Sequence, residues 1–473
     1  MSINLTIGYS FEFANMLSPK WKYNFMFICY ALTKNKKIKT FVNILTKVEK
    51  TCILLYNRYK IYKKEKINYM EEKIINREIY MNKLLAYKDT EFIKVITGIR
   101  RCGKSSLLKL LKEKILEENK DANVIYMNFE SFEYDDIINY KDMYHKISEN
   151  INKTQRNYIL LDEVQRVKEW EKAVNAIRVD FDSDIYITGS NAYLLSSELS
   201  TYLSGRYVEI KVLPLSFKEY LEFITIDDKK SLEDNFIEYI KFGGMPGIIS
   251  IKNVENLYED AIRGIYNTVF MKDVVKRNKL VDATLLEKIL KFLMSNIGSL
   301  ISAKKIADFL TSQGTKVTHN TVLNYLNMLE NAYIIYRVPR YDIKGKELLK
   351  TLEKYYIVDT GIRNIMLGFR NADFGHIIEN IVYFELIRRG YNITIGKNDA
   401  LEIDFIATNA NEKKYYQVTY TMLDDNVKER EMRVLKNIND NYEKTVLTMD
   451  KLYSNTTDEG IKIKYIIDFL LEK

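Results

Sequence analysis

The sequence has 473 residues, which suits about three domains rather than one, and its 47% of hydrophobic residues can bury a sizeable core. The formal net charge is +8, from 72 Lys and Arg against 64 Asp and Glu; this is compatible with a nucleic-acid partner but only a weak sign over so long a chain. Three cysteines argue against a disulfide framework, and no apolar run reaches the ~18 residues of a membrane span or resembles a leader, so we expect a cytoplasmic protein with no membrane partner.

The first 69 residues have no clear hydrophobic period and no turn punctuation, whereas a coherent pattern begins just after Met70. Two interpretations stay open for residues 1–69. They are either translated sequence upstream of a natural start at Met70 or a genuine N-terminal helical extension.

Short apolar strands alternate with amphipathic helices over residues 70–215. The run EFIKVIT (91–97) predicts a strand that ends at a glycine loop, and SSLLKLLKEKILEE (105–118) has its leucines at helical spacing. Further buried strands are predicted at 123–130, 157–164 and 184–190. This alternation predicts an α/β core, a mostly parallel sheet with helices on both faces.

The glycine loop is the stretch TGIRRCGKSS, which has the spacing Gly-x-x-x-x-Gly-Lys-Ser. Gly98 and Gly103 allow a tight turn whose N–H groups point at phosphate oxygens. Lys104 can reach the β- and γ-phosphates, and Ser105 can offer its hydroxyl to Mg²⁺. The loop therefore predicts a P-loop nucleotide site, with phosphate contacts from Gly98, Arg101, Cys102, Gly103, Lys104, Ser105 and Ser106.

An acidic pair follows the predicted strand in YILLDEVQ (158–165). Asp162 is placed to hold Mg²⁺ opposite Ser105, and Glu163 can orient and polarise the attacking water. Phosphoryl transfer needs mainly positioning and charge stabilisation, so one carboxylate for the metal and one for the water suffice.

Two more polar positions are candidates for the same site. Ser190 ends the predicted strand in ITGSN, where it can contact the γ-phosphate or simply cap a helix. Arg206 follows a glycine in TYLSGRYVEI, where it can stabilise transition-state charge or lie on the surface. The residues alone leave both alternatives open.

Five stretches together resemble a large group of prokaryotic AAA+-type ATPases with a C-terminal nuclease-like domain: VITGIRRCGKSSLL, YILLDEVQ, ITGSNAYLLSSELSTYLSGRY, VLPLSFKEYL and GGMPGI. The resemblance covers the chain from about Met70 to its end. It implies ATP as the nucleotide, a sensor role for Ser190 and a γ-phosphate or finger role for Arg206. Action of Arg206 in cis or in trans stays open, and action in trans would require an oligomer.

Residues 216–285 are expected to form a helical lid or linker, with a bend at KFGGMPGII (241–249). Residues 286–350 predict a winged-helix-like domain, two short helices followed by a hairpin that turns near Lys344 and Gly345. The second helix would read a major groove, or the domain would only pack against its neighbours. The candidate DNA contacts are His319, Asn320 and Asn324 on the helix and Arg337, Arg340, Lys344 and Lys346 on the wing.

Residues 354–473 resemble the restriction-endonuclease fold. Asp404 and Gln417 match two positions that bind Mg²⁺ in active members, but Thr419 stands where those members have a lysine. Lys413 or Lys414 could substitute for it. Glu379, on a predicted helix, either belongs to the same site or is an ordinary helix-surface residue. We expect a degenerate nuclease site that binds nucleic acid or a protein partner and has no cleavage activity.

The sequence as a whole predicts a Mg²⁺-dependent ATPase coupled, through its C-terminal half, to double-stranded DNA or to a protein partner. Two alternatives remain: an ATP-gated DNA nuclease, and a non-catalytic ATP-binding switch or scaffold.

Overall fold

The computed structural model describes residues 75–190, 192, 205–224, 230–249, 255–275, 282–370, 373–453 and 456–472. The chain divides into two units, Met1–Ile74 and Ile75–Lys473. Everything described below belongs to the second unit, and the expectations for residues 1–69 lie outside the described residues.

A five-stranded sheet forms the centre of the N-terminal part of this unit. Its order is β2-β3-β4-β1-β5, and every neighbouring pair is parallel. The predicted parallel sheet is therefore confirmed. The strands are β1 Ile93–Thr97, β2 Asn123–Asn128, β3 Asn157–Asp162, β4 Ser183–Thr188 and β5 Tyr207–Lys211.

Four helices cover the two faces of this sheet: α1 Glu78–Ala86, α2 Lys104–Glu118, α3 Tyr140–Ser148 and α4 Trp170–Asp180. Side chains of adjacent strand residues point to opposite faces. Ile96 and Leu160 pack with apolar residues of α1 and α2, whereas Val95 and Leu161 pack with those of α3 and α4. Both faces are thus buried, as the near-continuous apolar strands predicted.

A helical region follows the sheet. Its members are α5 Phe217–Phe223, α6 Leu232–Phe242, α7 Pro246–Ile249, α8 Glu255–Thr268 with a π-helical turn at Val269–Val275, α9 Ala283–Ser295, α10 Ala303–Ser312 and α11 His319–Asn331. Thr318 caps α11 by accepting the Thr321 N–H over 3.1 Å. Both α10 and α11 bury one apolar face, through Ile306 and Leu310 in α10 and through Val322, Leu326 and Leu329 in α11.

An eight-stranded mixed sheet forms the C-terminal part, in the order β12-β13-β11-β10-β9-β8-β6-β7. Its strands are β6 Ile335–Asp342, β7 Glu347–Ile357, β8 Asn392–Asn398, β9 Leu401–Thr408, β10 Lys413–Thr419, β11 Glu443–Thr448, β12 Thr456–Asp458 and β13 Ile461–Tyr465. Helices α13 Phe374–Arg388, α14 Asp425–Lys436 and α15 Ile466–Leu471 pack with it, whereas α12 Thr360–Leu367 packs with α6, α8 and α9. Short 3₁₀ turns lie at Phe132–Tyr134, Val164–Arg166 and Lys451–Tyr453.

The hairpin β6–β7 differs from the expected wing. Its turn lies near Lys344 and Gly345, as predicted, but β6 pairs in parallel with β8, with Arg340 opposite Ile395. The hairpin is therefore the edge of the C-terminal sheet, and the expected break between residues 350 and 354 falls inside β7. A lone two-stranded hairpin is marginal in water, and this one buries apolar residues of both strands by joining a larger sheet.

No helix in the described residues is both long enough and apolar enough to cross a membrane.

Candidate functional site

The glycine loop connects the end of β1 to the start of α2. Gly98 has a φ of 136°, and a Cβ added there would lie 2.1 Å from the Val212 carbonyl oxygen. Gly103 has a φ of 101° at the N-terminus of α2. These two positions need glycine, because L side chains rarely adopt such φ values and the first has no room for one.

Lys104 lies inside the loop and is only 4% exposed. Its Nζ donates to the carbonyl oxygens of Gly98 at 2.9 Å and Ile99 at 3.0 Å. The ammonium group is therefore held at the concave side of the turn, where the sequence predicted a phosphate contact.

The other predicted loop residues differ in exposure. Arg101 and Ser106 are exposed, whereas Cys102 is fully buried and its thiol donates to the Val212 carbonyl over 3.3 Å. Cys102 thus contributes packing and its backbone to the loop, and its sulfur is not accessible.

Asp162 is the meeting point of three hydroxyl groups at the end of β3. It accepts hydrogen bonds from Ser105 Oγ over 3.1 Å, from the Tyr126 hydroxyl over 3.2 Å and from the Thr188 hydroxyl. Burial and the neighbouring carboxylate raise the pKa of Tyr126, so that hydroxyl stays protonated and donates. The predicted contact between Ser105 and Asp162 is present, while the sequence analysis missed Tyr126 and Thr188.

Glu163 has a φ of 55°, which is unusual for a residue with a side chain. Its N–H donates to Thr188 Oγ1 over 2.9 Å, and its carboxylate accepts a hydrogen bond from the Gln165 amide. Strained positions of this kind cost of order 1–3 kcal/mol and cluster at functional sites. The Thr188 hydroxyl therefore orients both members of the acidic pair, because it donates to the Asp162 carboxylate and accepts the Glu163 N–H.

Ser190 lies just past the end of β4 and is fully buried. Its Oγ has no hydrogen-bond partner in the described part of the chain. Burying a hydroxyl without a hydrogen-bond partner costs free energy. The Ser190 hydroxyl is therefore suited to a hydrogen bond with a ligand oxygen.

Arg206 lies at the opposite end of the sheet from the loop. It is exposed and precedes β5, and its carbonyl accepts the N–H of Ile93, the first residue of β1. The loop begins after Thr97, the last residue of β1. The start of β1, where Arg206 lies, is about 15 Å from this point at about 3.3 Å per residue. Arg206 is thus not brought together with Lys104 and Asp162 of its own chain.

Arg77, which the sequence analysis did not single out, connects the glycine loop to neighbouring segments. The guanidinium donates to the carbonyls of Cys102 and Leu213, each over 2.9 Å, and pairs with Glu219 of α5. Arg77 directly precedes a helix and belongs to no recognisable sequence motif, so only its contacts in the folded protein identify it.

A second polar site lies in the C-terminal sheet. It brings together Glu379 of α13, Asp404 of β9 and Gln417 of β10, as the restriction-endonuclease resemblance implied. The Asp404 N–H donates to Gln417 Oε1 over 3.3 Å, and the Val418 N–H donates to Asp404 Oδ2 over 2.9 Å.

A lysine is present in this second site, from an unexpected strand. Lys354 of β7 is 2% exposed, and its Nζ lies 2.9 Å from Glu379 Oε1, 2.9 Å from Glu402 Oε1 and 3.2 Å from Asp404 Oδ1. Burial alone would lower the pKa of Lys354, but the carboxylates raise it. Burial raises the pKa of Glu379 to about 7, against the attraction of Lys354.

The lysines expected to substitute for Thr419 lie elsewhere. Lys414 pairs with Glu412 over 2.8 Å, and Lys413 lies 3.9 Å from Asp440. Thr419 itself donates to the Thr421 carbonyl. The expectation that Lys413 or Lys414 completes the site was wrong. Both lysines are near the start of β10, whereas Asp404 of β9 lies beside the other end of β10.

The candidate DNA contacts fall into two groups. His319, Asn320 and Asn324 are exposed on α11. Several basic residues of the hairpin already have acidic partners: Arg337 lies 3.3 Å from Glu330, and Lys344 pairs with Asp399.

Two sequence families match the chain. Residues 90–221 match a family described as an AAA domain, and residues 233–373 match a family described only as a domain of unknown function. The first match covers the five-stranded sheet and its loop, so this part of the chain is an AAA-type P-loop domain.

Two curated relatives are similar over most of the chain. An uncharacterized protein of Haemophilus influenzae is 43% identical over 406 residues, which cover 85% of this chain and 100% of that protein. The uncharacterized protein MJ1544 of Methanocaldococcus jannaschii is 34% identical over 374 residues, which cover 76% and 80%.

Among solved structures, AMPPCP-bound DnaA from Aquifex aeolicus is 16% identical and matches 54% of this chain and 86% of that chain, with a TM-score of 0.27. Nothing about the function of this chain follows from so low a score.

Proposed function

This chain belongs to the family of its Haemophilus influenzae and Methanocaldococcus jannaschii relatives and carries an AAA-type P-loop domain, and we propose on that premise that it binds ATP and hydrolyses it with Mg²⁺. The observation that carries the proposal is the contact between Ser105 and Asp162 at 3.1 Å beside the glycine loop. A hydroxyl from the loop and a carboxylate from β3 are the oxygen ligands that Mg²⁺ takes in phosphate sites.

The residues present fit a nucleotide with its metal. Lys104 is already held in the turn by two backbone carbonyls, which a phosphate can replace as its partners. The buried Ser190 hydroxyl is unpartnered in the described residues, and it lies at the same strand-end edge of the sheet. Ser105 and Asp162 would hold Mg²⁺, which supplies charge neutralisation at the phosphates.

Glu163 is the residue we assign to the attacking water. Its backbone is fixed by Thr188 and its carboxylate by Gln165, so the side chain is held beside Asp162 without binding the metal itself. Such a carboxylate can take a proton from water as a general base, an effect that contributes typically 10²–10⁴-fold. Ser190 then contacts the γ-phosphate or the water.

Arg206 serves the active site of a neighbouring subunit in this proposal. Its backbone lies at the far end of the sheet from the loop, which supports action on a nucleotide bound to another copy of the chain. An exposed arginine at that edge can reach a second copy. Charge stabilisation by a finger arginine is worth roughly 10³–10⁵ in rate, so the proposal includes an oligomer.

The C-terminal half is the part that responds to ATP. Thr97, the residue before the loop, donates to Glu209 over 2.6 Å, and Glu209 also accepts the Tyr333 hydroxyl over 3.4 Å. Tyr333 follows α11, whose exposed His319, Asn320 and Asn324 form the candidate DNA surface. This chain of contacts supports coupling between the nucleotide site and double-stranded DNA, with a protein partner as the alternative.

Steady-state ATP hydrolysis with and without duplex DNA tests the proposal. Lys104→Ala and Glu163→Gln should each abolish turnover, and Glu163→Gln should still bind ATP. Lys109→Ala is the matched control, since Lys109 is an exposed lysine on the same helix. Turnover that ignores DNA would favour a protein partner. Tight ATP binding without turnover by the unmodified protein would overturn the ATPase and leave a binding switch.

The role of Arg206 needs a separate experiment. Arg206→Ala and Lys104→Ala are each expected to be inactive alone. Mixed oligomers of the two variants should recover part of the activity, since an intact loop of one subunit then faces an intact arginine of the next. Mixing without recovery, or a wild-type rate in Arg206→Ala alone, would remove Arg206 from the mechanism.

A further inference from the structure

The lysine in the nuclease-like site stands where a metal ion would be expected. Lys354 Nζ has three N–H donors, and three carboxylate oxygens lie within 3.2 Å of it, from Glu379, Glu402 and Asp404. These carboxylates come from α13 and β9, whereas the lysine comes from β7. The ammonium group thus occupies the centre of the acidic cluster.

Several other polar atoms of this site have partners of their own. Asp404 Oδ2 accepts the Val418 N–H over 2.9 Å. The Gln417 amide donates to Glu431 over 2.8 Å, and Glu379 Oε1 also accepts the Tyr356 hydroxyl over 2.6 Å. Mg²⁺ requires about six oxygens at about 2.0–2.1 Å, so it does not fit without displacing the lysine. Nowhere among the described residues do three or more His, Cys, Asp or Glu side chains form a group able to hold a metal ion.

Four residues of this site are largely buried. Lys354, Glu379, Asp404 and Gln417 are each less than a tenth exposed, whereas the Glu402 side chain is 35% exposed. A Cβ on Gly298, in the loop after α9, would lie 2.8 Å from Glu379 Oε2, so this loop lies directly against the carboxylate. The loop therefore covers Glu379 on that side.

We propose that the Lys354 ammonium group is a built-in substitute for the divalent cation of this site, and that the C-terminal domain therefore binds no catalytic metal and cuts no nucleic acid. One buried positive charge within hydrogen-bond reach of Glu379 and Asp404, and in ion-pair contact with Glu402, offsets their desolvation as a metal ion would. The cluster then fastens β7 to α13 and β9. The inference is independent of ATP hydrolysis at the P-loop.

Manganese binding to the full-length, nucleotide-free protein tests the inference, with free Mn²⁺ followed by electron paramagnetic resonance. The unmodified protein and Asp404→Asn should give the same titration, because neither has a metal at this site. Lys354→Met, which keeps the length of the side chain without its charge, should gain about one Mn²⁺ per chain. Adding Asp404→Asn to Lys354→Met should remove that ion, which separates this site from the P-loop.

Two results would overturn the inference. One is Mn²⁺ binding, or Mn²⁺-dependent cleavage of duplex DNA, by the unmodified protein that Asp404→Asn abolishes. The other is a folded Lys354→Met protein that gains no Mn²⁺. If Lys354→Met does not fold, the comparison of the unmodified protein with Asp404→Asn still decides the question, since it needs no change at Lys354.

Discussion

Arg77 and Glu219 form a buried two-point ion pair, with Nε–Oε1 at 2.7 Å and Nη2–Oε2 at 2.8 Å. Glu219 also belongs to the capping box of α5, where it accepts the Ser216 N–H. The same guanidinium donates to the Cys102 carbonyl in the glycine loop. One arginine therefore joins the loop to the first helix of the helical region.

Replacing Arg77 by Met should destabilise the protein by about 3–5 kcal/mol, because Glu219 would be left buried without its partner. Lys83→Met is the matched control, a loss of an exposed positive charge from α1. Urea unfolding of both variants measures the effect. Equal unfolding midpoints for the two variants would contradict a structural role for the ion pair.

Gly98→Ala should weaken ATP binding by at least about tenfold, or about 1.4 kcal/mol. The added methyl group would lie 2.1 Å from the Val212 carbonyl oxygen, and the φ of 136° is unfavourable for alanine. Gly247→Ala, where nothing lies within 4 Å of the new Cβ, should bind ATP normally. Isothermal titration with a non-hydrolysable ATP analogue compares the two, and similar affinities would argue against the loop geometry.

Thr188→Val should lower kcat about tenfold, which corresponds to about 1.4 kcal/mol of transition-state stabilisation. The hydroxyl donates to Asp162 and accepts the Glu163 N–H, so its loss disturbs both carboxylates. Tyr126→Phe removes a donor that serves Asp162 alone and should have the smaller effect. Steady-state kinetics tests the order of the two variants, and a larger loss in Tyr126→Phe would show that Thr188 is not the key orienting group.

Asp359 makes the stability of the fold depend on pH. Burial raises the pKa of Asp359 to about 6, against the hydrogen bonds it accepts from Gly244 and Ile362. The ordinary pKa in an unfolded chain is about 4. Between about pH 4 and pH 6 Asp359 is therefore protonated in the folded state but ionised in the unfolded chain. The stability contributed by Asp359 is fully present below about pH 4 and is lost as the pH rises through about 6.

Relative to Asp359→Asn, the unfolding free energy of the unmodified protein should therefore fall by about 2 kcal/mol between pH 4 and pH 7. Denaturant unfolding of both proteins across this range gives the difference at each pH. A difference that stays constant, or that rises with pH, would mean that Asp359 is charged in the fold at all these pH values.

The sequence was sufficient for the parts of the site that depend on local spacing. The glycine loop, the Asp162–Glu163 pair and the strands before them follow one another along the chain, so their order predicts their arrangement. The position of Arg206 could also be predicted from the sequence. Arg206 precedes a strand of the parallel sheet, whereas the loop follows one, and the starts and the ends of parallel strands lie at opposite edges of a sheet. That argument separates Arg206 from the loop of its own chain.

Lys354 could not be predicted in the same way. Its partners Glu379 and Asp404 are 25 and 50 residues further along the chain, and they meet it because α13 packs against both β7 and β9. The one local sign of a buried charge in the sequence was Lys354 itself, which directly precedes the apolar run YYIV. The pairing of the expected wing with β8 could not be predicted for a related reason: two strands and a turn predict a hairpin, but not the strand that pairs with its edge.

The parallel pairing of β6 with β8 also determines how the protein can be divided. A fragment that starts at residue 354 would lose β6 and most of β7, leaving the Ile395–Lys397 edge of β8 unpaired. Uncovered edges of this kind recruit strands from other molecules. The C-terminal sheet should therefore be soluble as an isolated piece only when the fragment begins before Ile335, so that β6 still covers the edge of β8.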